Sequence, residues 1–119
     1  MLLTAALGLA LSSGAAASPL QCTLGALSRA ERERQQVLIA KVRASAAEKR
    51  ELPSGYSISV KAGSVSLPEL AEWISLEARC CPFLDFALEV SAGGSPVRLR
   101  LTGPAGVKEL LRAELSPER

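Results

Sequence analysis

Phe86-Ala87-Leu88-Glu89-Val90, then Ser91-Ala92-Gly93-Gly94-Ser95-Pro96, then Val97-Arg98-Leu99-Arg100-Leu101 is the stretch that decides the fold. Side chains alternate across a strand, so Phe86, Leu88 and Val90 share one side, as do Val97, Leu99 and Leu101. A short turn rich in glycine separates them, which predicts an antiparallel hairpin with one polar face. Its apolar face needs cover, and the rest of the chain supplies helices.

Upstream, Ser66-Leu67-Pro68-Glu69 is a helix start: serine caps, proline occupies the first turn where its missing N–H costs nothing, and glutamate closes a capping box. The helix reaches Arg79 or Cys80, with Leu70, Trp73, Ile74 and Glu77 along one side, and Pro82 ends it by forcing the residue before it out of helical geometry. Ser28 and Glu31 form a second capping box. The helix it opens is expected over 30–48, with Leu38, Val42 and Ala46 on the apolar side. Leu52-Pro53-Ser54-Gly55 is a turn. Tyr56, Ile58 and Val60 then alternate with Ser57, Ser59 and Lys61 as a half-buried strand. A last helix follows Gly103-Pro104, with Val107, Leu110, Leu111 and Leu115 as its stripe. Residues 19–24 read as a first strand or an extended arm. The pattern predicts an α+β fold: a small, mostly antiparallel sheet with helices packed on one face.

The 119 residues carry 14 basic and 12 acidic side chains, a net charge of +2, so nothing calls for nucleic acid. Basic and acidic residues are interleaved, as in Glu31-Arg32-Glu33-Arg34, and only 3% of residues are aromatic. Single-strand binding, which needs stacking rings beside a basic groove, is therefore disfavoured. Residues 1–17 are uncharged and apolar and end in Ala15-Ala16-Ala17, the layout of a signal peptide, although no Lys or Arg precedes the apolar run; a start assigned too far upstream gives the same appearance. Residues 18–119 then form a single α+β domain, periplasmic or secreted if the signal is genuine and cytoplasmic otherwise. The apolar run is too short for a stable membrane span. Gln21 before Cys22 argues against a lipoprotein site.

Chemistry is bounded by three cysteines and no histidine. Without imidazole, thiols and carboxylates must carry any reaction or metal site. Cys80 and Cys81 stand at a helix C-terminus, where the dipole opposes a thiolate, so an activated nucleophile is disfavoured. A soft metal changes this by driving deprotonation itself. If the chain unwinds at Pro82 and Cys22 folds back, the three sulfurs make a thiolate site for copper(I), mercury(II) or arsenic(III), with Glu77 as an accessory group. Zinc would need a fourth ligand from Glu77 or Asp85. Two other readings stand beside this one. One is a thiol-dependent redox or detoxification enzyme, with Asp85 or Glu77 handling protons. The other is a structural or partner-binding domain whose cysteines are core, or in which Cys22 is in a disulfide with one of the pair. Glu77 is either solvated at the helix edge or buried with Arg34, Arg79 or a cation as partner. The segment 102–108 places glycines before a helix like a phosphate cradle, but capping and turn formation explain it.

Cys22-Thr23-Leu24, Gly55-Tyr56, Glu77-Ala78-Arg79-Cys80-Cys81-Pro82-Phe83-Leu84-Asp85-Phe86 and Leu101-Thr102-Gly103-Pro104-Ala105-Gly106-Val107-Lys108 together resemble a family of small uncharacterised bacterial proteins. That family carries the pattern E-x-x-C-C-P-F-L-x-F followed by L-x-G-P-x-G-x-K. The resemblance runs from about Cys22 to the end of the chain. It implies no established activity, singles out Cys22, Glu77, Cys80, Cys81, Pro82 and Phe83, and implies a chain that begins near the first cysteine without an export signal.

Overall fold

The computed structural model describes residue 20 and residues 22–61 and 63–115. The leader expected over 1–17 lies outside them. Helix α1 (Arg29–Ser45) starts where its capping box requires: the Glu31 N–H donates to the Ser28 hydroxyl at 3.1 Å, and the Ser28 N–H donates to the Glu31 carboxylate at 2.8 Å. It stops earlier than the expected 30–48. The Ser45 carbonyl accepts from the Lys61 N–H at 2.6 Å, so it is taken by the sheet instead of by a further helical turn. The chain passes directly into strand β1 (Ala46–Leu52), which sequence periodicity does not show. Ala46, expected on the helix stripe, is exposed, and the buried line of α1 is Leu38, Ile39, Val42 and Ser45.

Strand β1 pairs antiparallel with β2 (Gly55–Val60) around Pro53-Ser54, with a bulge between Ala46 and Glu48. The sheet order is β1-β2-β4-β3, where β3 is Asp85–Val90 and β4 is Val97–Thr102, and every pairing is antiparallel. Registration stacks Tyr56, Leu101 and Phe86 in one row and Ile58, Leu99 and Leu88 in the next. These rows face the helices. At Gly55 the strands come so close that a Cβ would stand 1.8 Å from the Leu101 carbonyl oxygen. No other residue type fits there.

Helix α2 (Leu67–Cys80) opens with the second capping box, Glu69 N–H to Ser66 hydroxyl at 3.2 Å and Ser66 N–H to Glu69 carboxylate at 2.9 Å. It packs against α1, while α3 (Val107–Glu114) lies on β2 and β4. Leu38, Ile58, Leu70, Leu99 and Leu101 are at most 1% exposed, and each such burial stabilises by roughly 2 kcal/mol. Among the described residues, the arm before α1 forms no strand. Thr23 is extended and leads into a 3-10 turn at Leu24–Ala26 outside the sheet. The segment 102–108 behaves as a turn and start of helix: Gly106 holds φ +97°, and Lys108 pairs with Glu51. No helix among the described residues is long and apolar enough to cross a membrane.

Candidate functional site

Trp73, Glu77 and Cys80 recur at intervals of four and three along α2, which puts them on one side of the helix, and all three are buried. The backbone leaves helical geometry at Cys81, where φ is −122° and ψ is 76°. In a continuous helix adjacent side chains diverge. The change of direction before Pro82 instead brings both thiol positions to one place.

Cys22 arrives there on the N-terminal arm. The Thr23 N–H donates to the Cys80 carbonyl at 2.7 Å, a group freed by the end of the helix. Arg79 holds the arm from the other side: one nitrogen donates to the Ala26 carbonyl at 3.0 Å, and the guanidinium grips the Glu31 carboxylate at 2.7 and 3.1 Å. Cys22 and Cys81 form a disulfide with their Cα atoms 4.5 Å apart, and Cys80 is a buried free thiol. The three sulfur positions lie within 4.8 Å of one another. With metal–sulfur bonds of about 2.3 Å, a trigonal thiolate site separates its sulfurs by about 4.0 Å. The cluster could hold one ion once the disulfide is reduced and the bonded sulfurs of Cys22 and Cys81 move apart to that separation.

The Glu77 carboxyl belongs to the same cluster. It is 4% exposed, which overturns the solvated reading. The partners suggested by sequence are occupied elsewhere: Arg34 pairs with Glu72 at 2.8 Å and Arg79 with Glu31. Gln35 takes the role, its amide donating to Glu77 Oε2 at 2.8 Å, while Glu77 Oε1 lies 3.8 Å from the Cys81 sulfur. Burial pushes the carboxyl up to about 7, aided by the negative charge of Glu114 and opposed by the Gln35 amide. The Trp73 indole also favours the charged form, although its N–H meets no acceptor in hydrogen-bond geometry. The Cys80 thiol is pushed up first by burial and then by the Glu77 charge, with Glu114 adding to the rise and Gln35 opposing it. Unmetallated, Cys80 is therefore a protonated thiol and a sluggish nucleophile.

A cavity of about 10 Å³ adjoins the disulfide, lined by Cys22, Trp73, Glu77, Cys81, Leu111 and Glu114 among others. That is room for about one water molecule. Asp85 is exposed at the start of β3, on the opposite side of the strand from Phe86, and takes no part in the cluster.

Gln35 and Glu114 are the site residues the sequence reading passes over. Gln35 carries a signal: with Leu38, Val42 and Ser45 it makes a line at helical spacing, and a polar residue on a buried line needs a polar partner. Glu114 carries none, because its place depends on how α3 lies on the sheet. Fold and site together define a two-layer α+β domain with a cluster of three sulfurs and a carboxyl at a helix end, in which Cys80, Cys81 and Glu77 are buried and Cys22 is half-buried. No protein-family model matches the chain, nor does any curated protein or solved structure.

Proposed function

We propose that the reduced domain binds one soft metal or metalloid cation through Cys22, Cys80 and Cys81, with Glu77 beside it. The observation that carries this reading is the mutual approach of the three sulfur positions within 4.8 Å. Support comes from the way Cys22 is held. The Thr23 and Arg79 hydrogen bonds tie the arm to the helix end in addition to the disulfide, so on this reading reduction leaves the ligand set assembled. Three thiolates favour copper(I), mercury(II) or arsenic(III), which accept trigonal sulfur sites. Zinc would draw Glu77 in as a fourth ligand.

The helix-end dipole and buried surroundings that make Cys80 a poor nucleophile matter less to a metal site, because the cation supplies the charge that deprotonates it. On this reading the E-x-x-C-C motif of the family that the chain resembles is a ligand frame, closed from outside the motif by Cys22. The cellular location then sets the form: an exported chain carries the disulfide, a cytosolic one the three thiols.

Native mass spectrometry of the reduced full chain, exposed separately to copper(I), mercury(II), arsenite and zinc, tests the reading. One equivalent of a soft cation should be retained, and Cys80 should become protected from alkylation. Absence of any retained cation, with unchanged alkylation, would overturn it.

A further inference from the structure

We propose that Cys80 exchanges with the Cys22–Cys81 disulfide, so that the oxidised protein holds its disulfide in two alternative pairings. This concerns the oxidised, metal-free protein and stands apart from the metal reading. The buried free thiol of Cys80 has both sulfurs of the disulfide within 4.8 Å. A structural disulfide in a small domain is usually insulated from free thiols. Here a third sulfur is packed against it on the same helix end.

The direction of exchange follows from geometry. Attack on Cys81 would join neighbouring residues, whose Cα atoms are about 3.8 Å apart across a trans peptide, short of the usual disulfide range of about 4.4–6.8 Å. Attack on Cys22 creates no such ring. The arm already lies against Cys80, since the Thr23 N–H is bonded to the Cys80 carbonyl at 2.7 Å. In this step the Cys80 sulfur gives up its proton and forms a bond to the Cys22 sulfur. The Cys22–Cys81 bond breaks, its electron pair leaves on Cys81, and Cys81 takes up a proton. One disulfide and one thiol are present before and after, so no outside oxidant or reductant is needed.

The released thiol differs in surroundings from the one consumed. Cys81 lines the cavity with Trp73, Glu77 and Glu114, whereas Cys80 does not. The Cys81 sulfur also stands 3.8 Å from Glu77 Oε1, a carboxyl able to accept a hydrogen bond from the new S–H. Exchange thus moves the free thiol from the helix side to the cavity. Uncatalysed disulfide rearrangement takes minutes to hours, and the buried position of Cys80 gives no reason to expect it to be faster here.

The experiment uses the oxidised full chain without reductant or metal. It is incubated with N-ethylmaleimide at neutral pH for hours and quenched in acid, and the labelled sulfur is located by tandem mass spectrometry of the peptide holding Cys80 and Cys81. Label on Cys81, with Cys22 joined to Cys80, is the expected result. Label confined to Cys80, with Cys22–Cys81 intact throughout, would overturn the proposal. A second measurement takes Cys81→Ser, with native circular dichroism, through oxidation by glutathione disulfide. A Cys22–Cys80 bond is expected; two persistent free thiols at Cys22 and Cys80 would count against exchange even if soft cations still bound to the reduced wild type.

Discussion

The Thr23 N–H and the Cys80 carbonyl are joined at 2.7 Å across the gap between the N-terminal arm and the end of α2. This bond and the Arg79 contact to the Ala26 carbonyl tie the arm to the helix end in addition to the disulfide. Arg79 is therefore a positioning residue for any ion held by the three sulfurs. Arg79→Ala should leave the fold intact and weaken the affinity of the reduced protein for copper(I) about tenfold, the scale of outer-shell effects on metal sites. A competitive titration against a copper(I) chelator reads the change. Equal affinities for variant and wild type would remove Arg79 from the site.

Reducing the disulfide should lower stability even though the arm stays docked. The bond joins positions 59 residues apart, and loop-closure entropy for a loop of that length is worth about 4 kcal/mol. Urea unfolding with and without a phosphine reductant should show the midpoint falling on reduction. Cys22→Ser should unfold at the reduced midpoint regardless of reductant. Coincident curves for oxidised and reduced wild type would contradict this account.

Gly55 and Gly25 make a matched pair of substitutions. A Cβ at Gly55 would sit 1.8 Å from the Leu101 carbonyl oxygen, a backbone atom that can yield only if β2 and β4 separate. At Gly25 nothing lies within 4 Å. Gly55→Ala should cost about 3 kcal/mol or more, enough to leave a domain of this size marginal or unfolded. Gly25→Ala should stay within about 0.5 kcal/mol of wild type. Thermal melts followed by circular dichroism separate the two, and a wild-type melt for Gly55→Ala would mean that the strand pairing is misassigned.

Much of this architecture is written in local patterns. Both capping boxes, the β3–β4 hairpin and the end of α2 before Pro82 lie where short-range rules put them, because each depends on residues within a few positions of one another. Strand β1 does not show, since every residue from Ala46 to Glu51 is exposed, whichever side of the strand it is on. Lys49 faces the Tyr56 ring at 5.5 Å and Glu51 reaches Lys108, contacts that leave no alternation of apolar and polar residues. The end of α1 is hidden for a related reason: the Ser45 carbonyl is claimed by Lys61, a distant residue in sequence. In the site, Glu77 is legible as a carboxylate on an apolar stripe. The pairing of Cys22 with Cys81 instead of Cys80 is not, because it depends on the turn the backbone takes at Cys81.

Stability should pass through a maximum in mildly acidic solution. Glu77 is raised from 4.5 to about 7 in the folded protein by burial and the Glu114 charge. Its folded state holds the proton more tightly, so its contribution is full below the unfolded value and lost as pH rises toward 7. The fall amounts to about 3 kcal/mol. Glu31 and Glu69 are lowered to about 2, chiefly by hydrogen bonds to Arg79 and Lys41 and to their capping partners. Their contribution is present above the ordinary carboxylate range and lost as pH falls toward 2. Urea midpoints of the oxidised protein between pH 3 and 8 should peak near pH 4.5–5. Glu77→Gln, which cannot ionise, should flatten the neutral side only; a variant that still loses stability between pH 5 and 7 would show that another group is responsible.

Trp73 offers a direct optical readout of the sulfur cluster. It is the only tryptophan in the chain, 2% exposed, packed edge-on to Phe86 with ring centroids 6.2 Å apart, and it lines the same small cavity as Cys22 and Cys81. An excited indole transfers an electron readily to a disulfide at close range, so emission from the oxidised protein should be quenched. Reduction should raise it without moving the wavelength maximum, because the ring stays buried. Cys22→Ser should show the higher emission before any reductant is added. Mercury(II) bound to the reduced cluster should quench it again through the heavy-atom effect, at one equivalent per chain. An emission intensity that ignores reduction would put the indole too far from the disulfide for the packing described. A shift of the maximum to the red on reduction would mean instead that opening the disulfide exposes the core, and that the arm is not held by Thr23 and Arg79 alone.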